Sequence, residues 1–145
     1  MQGKVVAVCT SPGKGTPKSD CGEATLRVDH GLVGDAHAAP GDRQISLLAV
    51  ESVDKMRALG LDVGVGSFGE NLAISGLPLP TLPIGTKLRV GGECLLEITM
   101  IGKTCHRRCS IYYRAGDCIM PREGVFAKVL AGGAVSTGDD VTVLE

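Results

Sequence analysis

Tryptophan is absent from this chain, and two tyrosines and two phenylalanines bring the aromatic share to only 3%. A core must then be built from Val, Leu, Ile, Ala and Met. An array of aromatics interleaved with basic residues, the usual platform for stacked bases, is excluded. Neither sign of charge predominates: 15 Lys and Arg against 16 Asp and Glu leave a net charge of −1. No overall field therefore holds a polyanion, and nucleic acid is not an expected partner. Long apolar runs are missing too; none approaches the ~20 residues a membrane-spanning helix needs, so no membrane partner is expected. Met1-Gln2-Gly3-Lys4-Val5-Val6 already reads as a strand and lacks the apolar stretch of a signal peptide, which leads to the expectation of a cytoplasmic protein.

What is present points to one domain spanning residues 1–145. Hydrophobic residues make up 43% and charged residues 21%, a globular balance at a common domain size. The 21 glycines are scattered between short apolar runs, the pattern of closely spaced strands and tight turns. Strands are expected at Lys4–Cys9, Glu23–Val28, Arg43–Leu48, Thr86–Val90, Glu93–Ile101, Val125–Leu130 and Val141–Leu144. The pair Gly91-Gly92 is expected to form a two-residue hairpin turn. In the arm that follows, Cys94, Leu96, Ile98 and Met100 should share the inner face.

Gly31–His37 reads as a glycine-punctuated loop, Gly132-Gly133 as a turn, and Pro78, Pro80 and Pro83 as an extended edge or loop. One clear helix is expected at about residues 46–59, with Ser46 as N-cap, Ala49, Val53, Met56 and Leu59 at helical spacing, and Gly60 as its left-handed stop. The fold class is thus mostly β, a single β-barrel-like domain with one helix.

Six cysteines in a reducing compartment favour metal binding or catalysis over a disulfide framework. Cys9 and Cys94 lie in apolar strands and are expected to be inert core residues. Cys21 lies between charged residues and is expected to be exposed. The concentrated chemistry is Lys103-Thr104-Cys105-His106-Arg107-Arg108-Cys109, with Cys118 behind it. The bordering cations favour thiolate, the nucleophilic and metal-binding form.

Three readings stand side by side at this point. The first is a reactive or metal-ligating thiolate. The second is a structural zinc site using Cys105, Cys109 and Cys118 with His106 or His37. The third is packed thiols with solvated basic neighbours. A haem attachment does not fit, because the histidine lies between the cysteines.

Gly34-Asp35-Ala36-His37, Arg43-Gln44-Ile45-Ser46-Leu47-Leu48 with Glu51, and Phe68-Gly69-Glu70-Asn71-Leu72 follow one another along the chain. Leu82-Pro83-Ile84-Gly85, Leu88-Arg89-Val90-Gly91 and Gly133–Asp139 continue the series. In this order they resemble the successive signatures of the MOSC domain, named after the C-terminal part of molybdenum cofactor sulfurase. Gly116–Gly124 resembles a short stand-alone bacterial subgroup associated with cofactor-biosynthesis proteins. The chain is shorter than the amidoxime-reducing relatives, so reductase activity by this chain alone is not expected.

The resemblance implies a barrel-like fold and a molybdenum-cofactor-associated sulfur carrier. In that role a cysteine receives sulfur as a persulfide from a cysteine desulfurase and passes it to a metal–pterin centre. Cys109, which follows Arg107-Arg108 and precedes Ser110-Ile111, matches the family's cysteine best. Cys118 is the second candidate and Cys105 a supporting or resolving thiol. Where relatives ligate molybdenum, Cys109 is the implied ligand.

Arg43 and Lys103 are implied to meet the phosphate of molybdopterin, with an ion pair from Arg43 to Asp35 or Glu70 as the structural alternative. Gln44 and Asn71 suit a pterin edge or equally the capping of turns. His37 suits an anion or a proton, and Glu70 lies in the same motif. Pyridoxal phosphate is expected only on the partner desulfurase, and the other implied partners are molybdoenzymes or cofactor-biosynthesis proteins. The alternative function is a non-catalytic module that binds molybdopterin or a molybdoenzyme.

Overall fold

The computed structural model describes residues 1–10, 19–35, 38–41, 43–58, 60, 70–101 and 124–144. Eleven strands and one α-helix are found among them, in the order β1 (Gln2–Thr10), β2 (Ser19–Asp20), β3 (Glu23–Arg27), β4 (Gly31–Leu32), β5 (Ile45–Ala49), α1 (Val50–Ala58), β6 (Leu72–Ser75), β7 (Lys87–Val90), β8 (Cys94–Ile101), β9 (Val125–Ala131), β10 (Gly133–Ser136) and β11 (Asp140–Leu144). A 3₁₀ turn occupies Leu79–Thr81. The largest sheet runs β11-β7-β8-β9-β5-β6-β1, and β11 pairs again with β1, so these seven strands close into a barrel. Closure removes the unpaired edges that an open sheet of such short strands would leave. A smaller sheet, β10-β3-β4, accompanies it, and β2 pairs with the end of β1.

The barrel interior is aliphatic, as the composition requires: Val5, Val8, Ile45, Leu47, Leu72, Ile74, Leu88, Leu96, Ile98, Val125, Ala127 and Val129 belong to one buried cluster. Two irregularities set which residues reach it. On β1 the register against β6 shifts between Val5 and Ala7, so Val5 and Val8, three residues apart, both face inward while Val6 is exposed. On β8 the register against β9 shifts between Ile98 and Met100. Met100 therefore pairs with outward-facing Phe126 and does not continue the inner row of Cys94, Leu96 and Ile98. The expected inner position of Met100 is corrected accordingly, since one inserted residue inverts every later side chain.

The helix is shorter than expected. It begins at Val50; Ser46 and Ala49 are strand residues, so Ser46 is not its N-cap and Ala49 is not one of its helical positions. The cause is that all five residues of β5 are buried, so the strand has no alternation to distinguish it from a helix start. Gly60 does adopt a left-handed conformation (φ +89°), and its N–H closes on the Arg57 carbonyl at 2.9 Å. Ser52, Val53 and Met56 are the helical positions that bury.

Other elements differ as well. The hairpin between β7 and β8 closes at Val90 opposite Cys94, so its turn holds Gly91, Gly92 and Glu93, three residues and not two. The Pro78–Pro83 connection contains the 3₁₀ turn, tied by the Thr81 hydroxyl donating to the Pro78 carbonyl at 2.7 Å. Gly31-Leu32, expected within a loop, and Gly133, expected in a turn, belong to β4 and β10, which pair on either side of β3.

Candidate functional site

Across the outside of the barrel, one row of residues crosses five strands or strand entrances. Met100 of β8 lies opposite Phe126 of β9, and Phe126 lies opposite Ser46 of β5. Asn71, just before β6, donates its N–H to the Ser46 carbonyl, and its own carbonyl accepts from the N–H of Cys9 of β1. Residues 102–123 leave after Ile101, beside Met100, and return through Gly124 and Val125, beside Phe126. Residues 61–69 return through Glu70, beside Asn71, and residues 11–18 leave after Thr10, beside Cys9. Ile101 and Val125 are themselves paired, so the cysteine-bearing stretch is anchored at both ends on neighbouring strands of this face.

Asn71 is the hub of the row. Its Oδ1 accepts from the Ser46 N–H at 3.0 Å and the Ser46 hydroxyl at 3.1 Å, and its Nδ2 donates to the Cys9 carbonyl at 3.2 Å. Its own N–H donates to the Ser46 carbonyl at 2.9 Å, and its carbonyl accepts from Cys9 N–H at 2.6 Å. Asn71 is only 2% exposed, so these bonds satisfy atoms that water does not reach. Glu70 beside it is fully buried and engaged, and Ala7, Cys9 and Ala73 pack with Val50 of α1 on this outer layer.

Gln44 is likewise buried. Its Oε1 accepts from Val129 N–H at 2.9 Å, and its Nε2 donates to Asp29 Oδ1 at 3.1 Å and to the Gly41 carbonyl at 3.0 Å. Both donors of the carboxamide are thus committed. The close approach extends to its backbone, because a Cβ on Gly31 (φ +121°) would lie 1.9 Å from the Gln44 carbonyl oxygen. Asp35 receives the Thr10 hydroxyl at 3.4 Å and leads into residues 36–37.

Arg43, in contrast, is exposed and ion-paired with no carboxylate among the described residues; neither Asp35 nor Glu70 takes it. Its Nε donates to the Met100 thioether at 3.4 Å, and its guanidinium carbon lies 5.4 Å from the centre of the Phe126 ring. Met100 and Phe126 were not among the expected site residues. No sequence signal locates the β8 bulge that turns Met100 outward; the Thr99 hydroxyl, which donates to the Phe126 carbonyl at 3.2 Å, fills it.

Of the expected site residues, the structure thus brings Asn71 and Glu70 together, and places Arg43 and Gln44 next to each other at the start of β5. His37, Lys103, Cys105, Cys109 and Cys118, and His106 of the zinc reading, lie outside the described residues. Among the described residues, no three His, Cys, Asp or Glu side chains are placed to share a metal ion.

The remaining cysteines behave as their surroundings dictate. Cys94 is fully buried, and burial first, then the Glu93 and Asp139 carboxylates, push its thiol from 9.0 up to about 11. Cys21 is exposed, with its thiol aimed at the carbonyls of Val8 (3.2 Å) and Glu23 (3.3 Å). Peptide mapping after brief iodoacetamide treatment of the native protein should find Cys21 alkylated and Cys94 intact. The folded state keeps the Cys94 proton to higher pH than the unfolded chain does. Its contribution to stability is therefore complete below pH 9 and declines as pH rises towards 11. Urea titrations should show this alkaline decline reduced in Cys94→Ala.

A barrel closed by seven short strands, with one outer helix among the described residues and with paired Ile101 and Val125 flanking the segment that carries Cys105, Cys109 and Cys118, defines the class. The chain belongs to the MOSC domain family, whose model matches residues 29–142. Its fold is similar to the YuaD protein of Bacillus subtilis, with a TM-score of 0.80 at 19% identity over 97% of this chain and 94% of that one. It is also similar to YiiM of Geobacillus stearothermophilus (TM-score 0.74, 18% identity, 99% of this chain and 75% of that one). YiiM of Escherichia coli matches at a TM-score of 0.69 and 24% identity over 100% of this chain and 70% of that one. No curated protein matches the chain. No helix among the described residues is long and apolar enough to cross a membrane.

Proposed function

We propose that this protein is a sulfur carrier serving molybdenum-cofactor chemistry, with Cys109 as the carrying thiol. The observation that supports it most is the MOSC match over residues 29–142, which includes the whole cysteine-bearing stretch. The Cys109 thiolate attacks the terminal sulfur of a persulfide on a partner cysteine desulfurase. The donor's S–S bond breaks, its cysteine departs as thiolate, and Cys109 retains the sulfur and its proton as a persulfide.

Cys105 or Cys118 then attacks the inner sulfur, forming a disulfide and expelling hydrosulfide towards the metal–pterin substrate. The two thiols supply the two electrons that convert the transferred sulfur to sulfide, and a dithiol reductant resets the pair. The neighbouring Lys103, His106, Arg107 and Arg108 favour the thiolate that begins the sequence. Molybdopterin is the substrate here, not a resident group. Arg43 offers an open cationic fork for its phosphate, with Lys103 and His37 as further contacts. The residues behind Arg43 are already bonded among themselves: the Gln44 donors and the Asn71 carboxamide keep the framework in place.

Intact-mass spectrometry after incubation with a cysteine desulfurase and cysteine tests the reading. The wild type and Cys94→Ala should each gain a sulfur atom, and Cys109→Ser should gain none. A wild type that gains no sulfur, while a form with all three candidate cysteines replaced by serine still binds molybdopterin, overturns the carrier in favour of a non-catalytic binding module.

A further inference from the structure

We propose that Arg43 is an oxyanion receptor whose guanidinium is held in register by Met100 and Phe126, two positioning residues that act through it without touching the ligand. The proposal rests on the function above only for the identity of the ligand; the receptor itself follows from the fold.

Three features of the structure lead to it. The β8 bulge turns Met100 outward, opposite Phe126, and brings its sulfur within 3.4 Å of Arg43 Nε. The guanidinium lies over Phe126 at 5.4 Å, inside the range in which the ring's quadrupole attracts a cation. Among the described residues no carboxylate neutralises Arg43, although the residue is exposed and within reach of water and ligands.

With Nε occupied and one face covered by the ring, the donors that remain are those on Nη1 and Nη2. They point away together and form an end-on fork suited to two oxygens of one phosphate or carboxylate. Fixing the side chain before the ligand arrives removes part of the ordering cost that a free arginine meets on binding. The ligand class is accordingly an oxyanion-bearing molecule, and a phosphate monoester fits the fork best. The receptor stands beside both anchors of residues 102–123, so an anion held there is brought close to the attachment of the cysteine-bearing stretch.

The test measures binding by isothermal titration calorimetry in the full-length protein, titrated with inorganic phosphate and, separately, with a phosphorylated pterin, and follows the Arg43 Nε–H signal by NMR wherever Arg43 is kept. In the wild type the signal should shift with both ligands. Arg43→Ala should abolish saturable binding of each. Met100→Leu should weaken both by about fivefold, the equivalent of one modest hydrogen bond, without lowering the melting temperature. Phe126→Leu should act in the same direction and Phe126→Tyr should restore affinity.

In an Arg43→Lys background, which lacks Nε–H, Met100→Leu should change nothing further. The receptor is overturned if Arg43→Ala binds phosphate as the wild type does, and the positioning role is overturned if Met100→Leu weakens binding equally in the wild-type and Arg43→Lys backgrounds, or in neither. The outcome is distinct from failure of the sulfur-carrier reading. A protein that takes up no sulfur yet shows the Arg43-dependent phosphate shift retains the receptor and loses only the carrier.

Discussion

Asn71→Ala is expected to lower the stability of the fold by about 3 kcal/mol, from the loss of three buried side-chain hydrogen bonds at about 1 kcal/mol each. The side chain bridges segments distant in sequence: Ser46, 25 residues before it, and Cys9, 62 residues before it. It therefore replaces ladder bonds at the place where parallel β5 and β6 begin and where β1 ends. Ser46→Ala removes only the hydroxyl contacts and should cost about 1 kcal/mol. Asn71→Asp keeps the acceptor for Ser46 but sets a carboxylate oxygen against the Cys9 carbonyl, so it should be at least as damaging as alanine at neutral pH. Chemical denaturation followed by far-UV circular dichroism measures all three. A loss below about 1 kcal/mol in Asn71→Ala would show that backbone bonds alone secure this junction.

Gln44→Leu is the second large effect, expected at about 2–3 kcal/mol for the same physical reason: a buried amide is removed while its partners stay. Its Oε1 holds the Val129 N–H of β9, and its Nε2 ties Asp29, a non-glycine residue with φ of +57°, together with the Gly41 carbonyl. Losing this tie frees the β3–β4 turn and the chain entering β5, which also carries Arg43. Hydrogen exchange should accordingly rise at Val129 and around Asp29 more than in β7 or β11. Gln44→Glu is nearly isosteric and separates shape from chemistry. At neutral pH its carboxylate faces the Asp29 carboxylate and the Gly41 carbonyl with no proton to donate. Its stability should recover as pH falls and the introduced group regains a proton, a direction opposite to that of the usual acid destabilisation. Urea midpoints at neutral and mildly acidic pH decide this; no recovery on acidification would mean that volume, not donor capacity, matters at position 44.

The strands that alternate were legible in the sequence. Glu23–Arg27, Lys87–Val90 and the first half of β8 bury every second residue, and that period survives in a one-dimensional pattern. Gly60 was legible because its role is local. Ser46 was not, because a strand buried on all sides has the same apolar run as a helix start, and the deciding contact with Asn71 comes from 25 residues away. The strand β6 was missed on similar grounds: four residues between a glycine-rich motif and Gly76 carry no pattern of their own until β1 and β5 flank them.

The candidate site divides along the same line. By itself the sequence determined the mostly β character, the aliphatic core, the helix stop at Gly60 and the family signatures that single out Arg43, Gln44, Glu70 and Asn71. Each of these is either periodic or a short contiguous motif. Only the tertiary structure decided what those residues meet. Closure of the barrel brings Cys9, Ser46, Asn71, Phe126 and Met100 into one row, and a single extra residue near Thr99 turns the Met100 sulfur from the core to Arg43. Register between strands depends on the sum of all pairings around the barrel, and a bulge of one residue leaves no mark in composition or spacing.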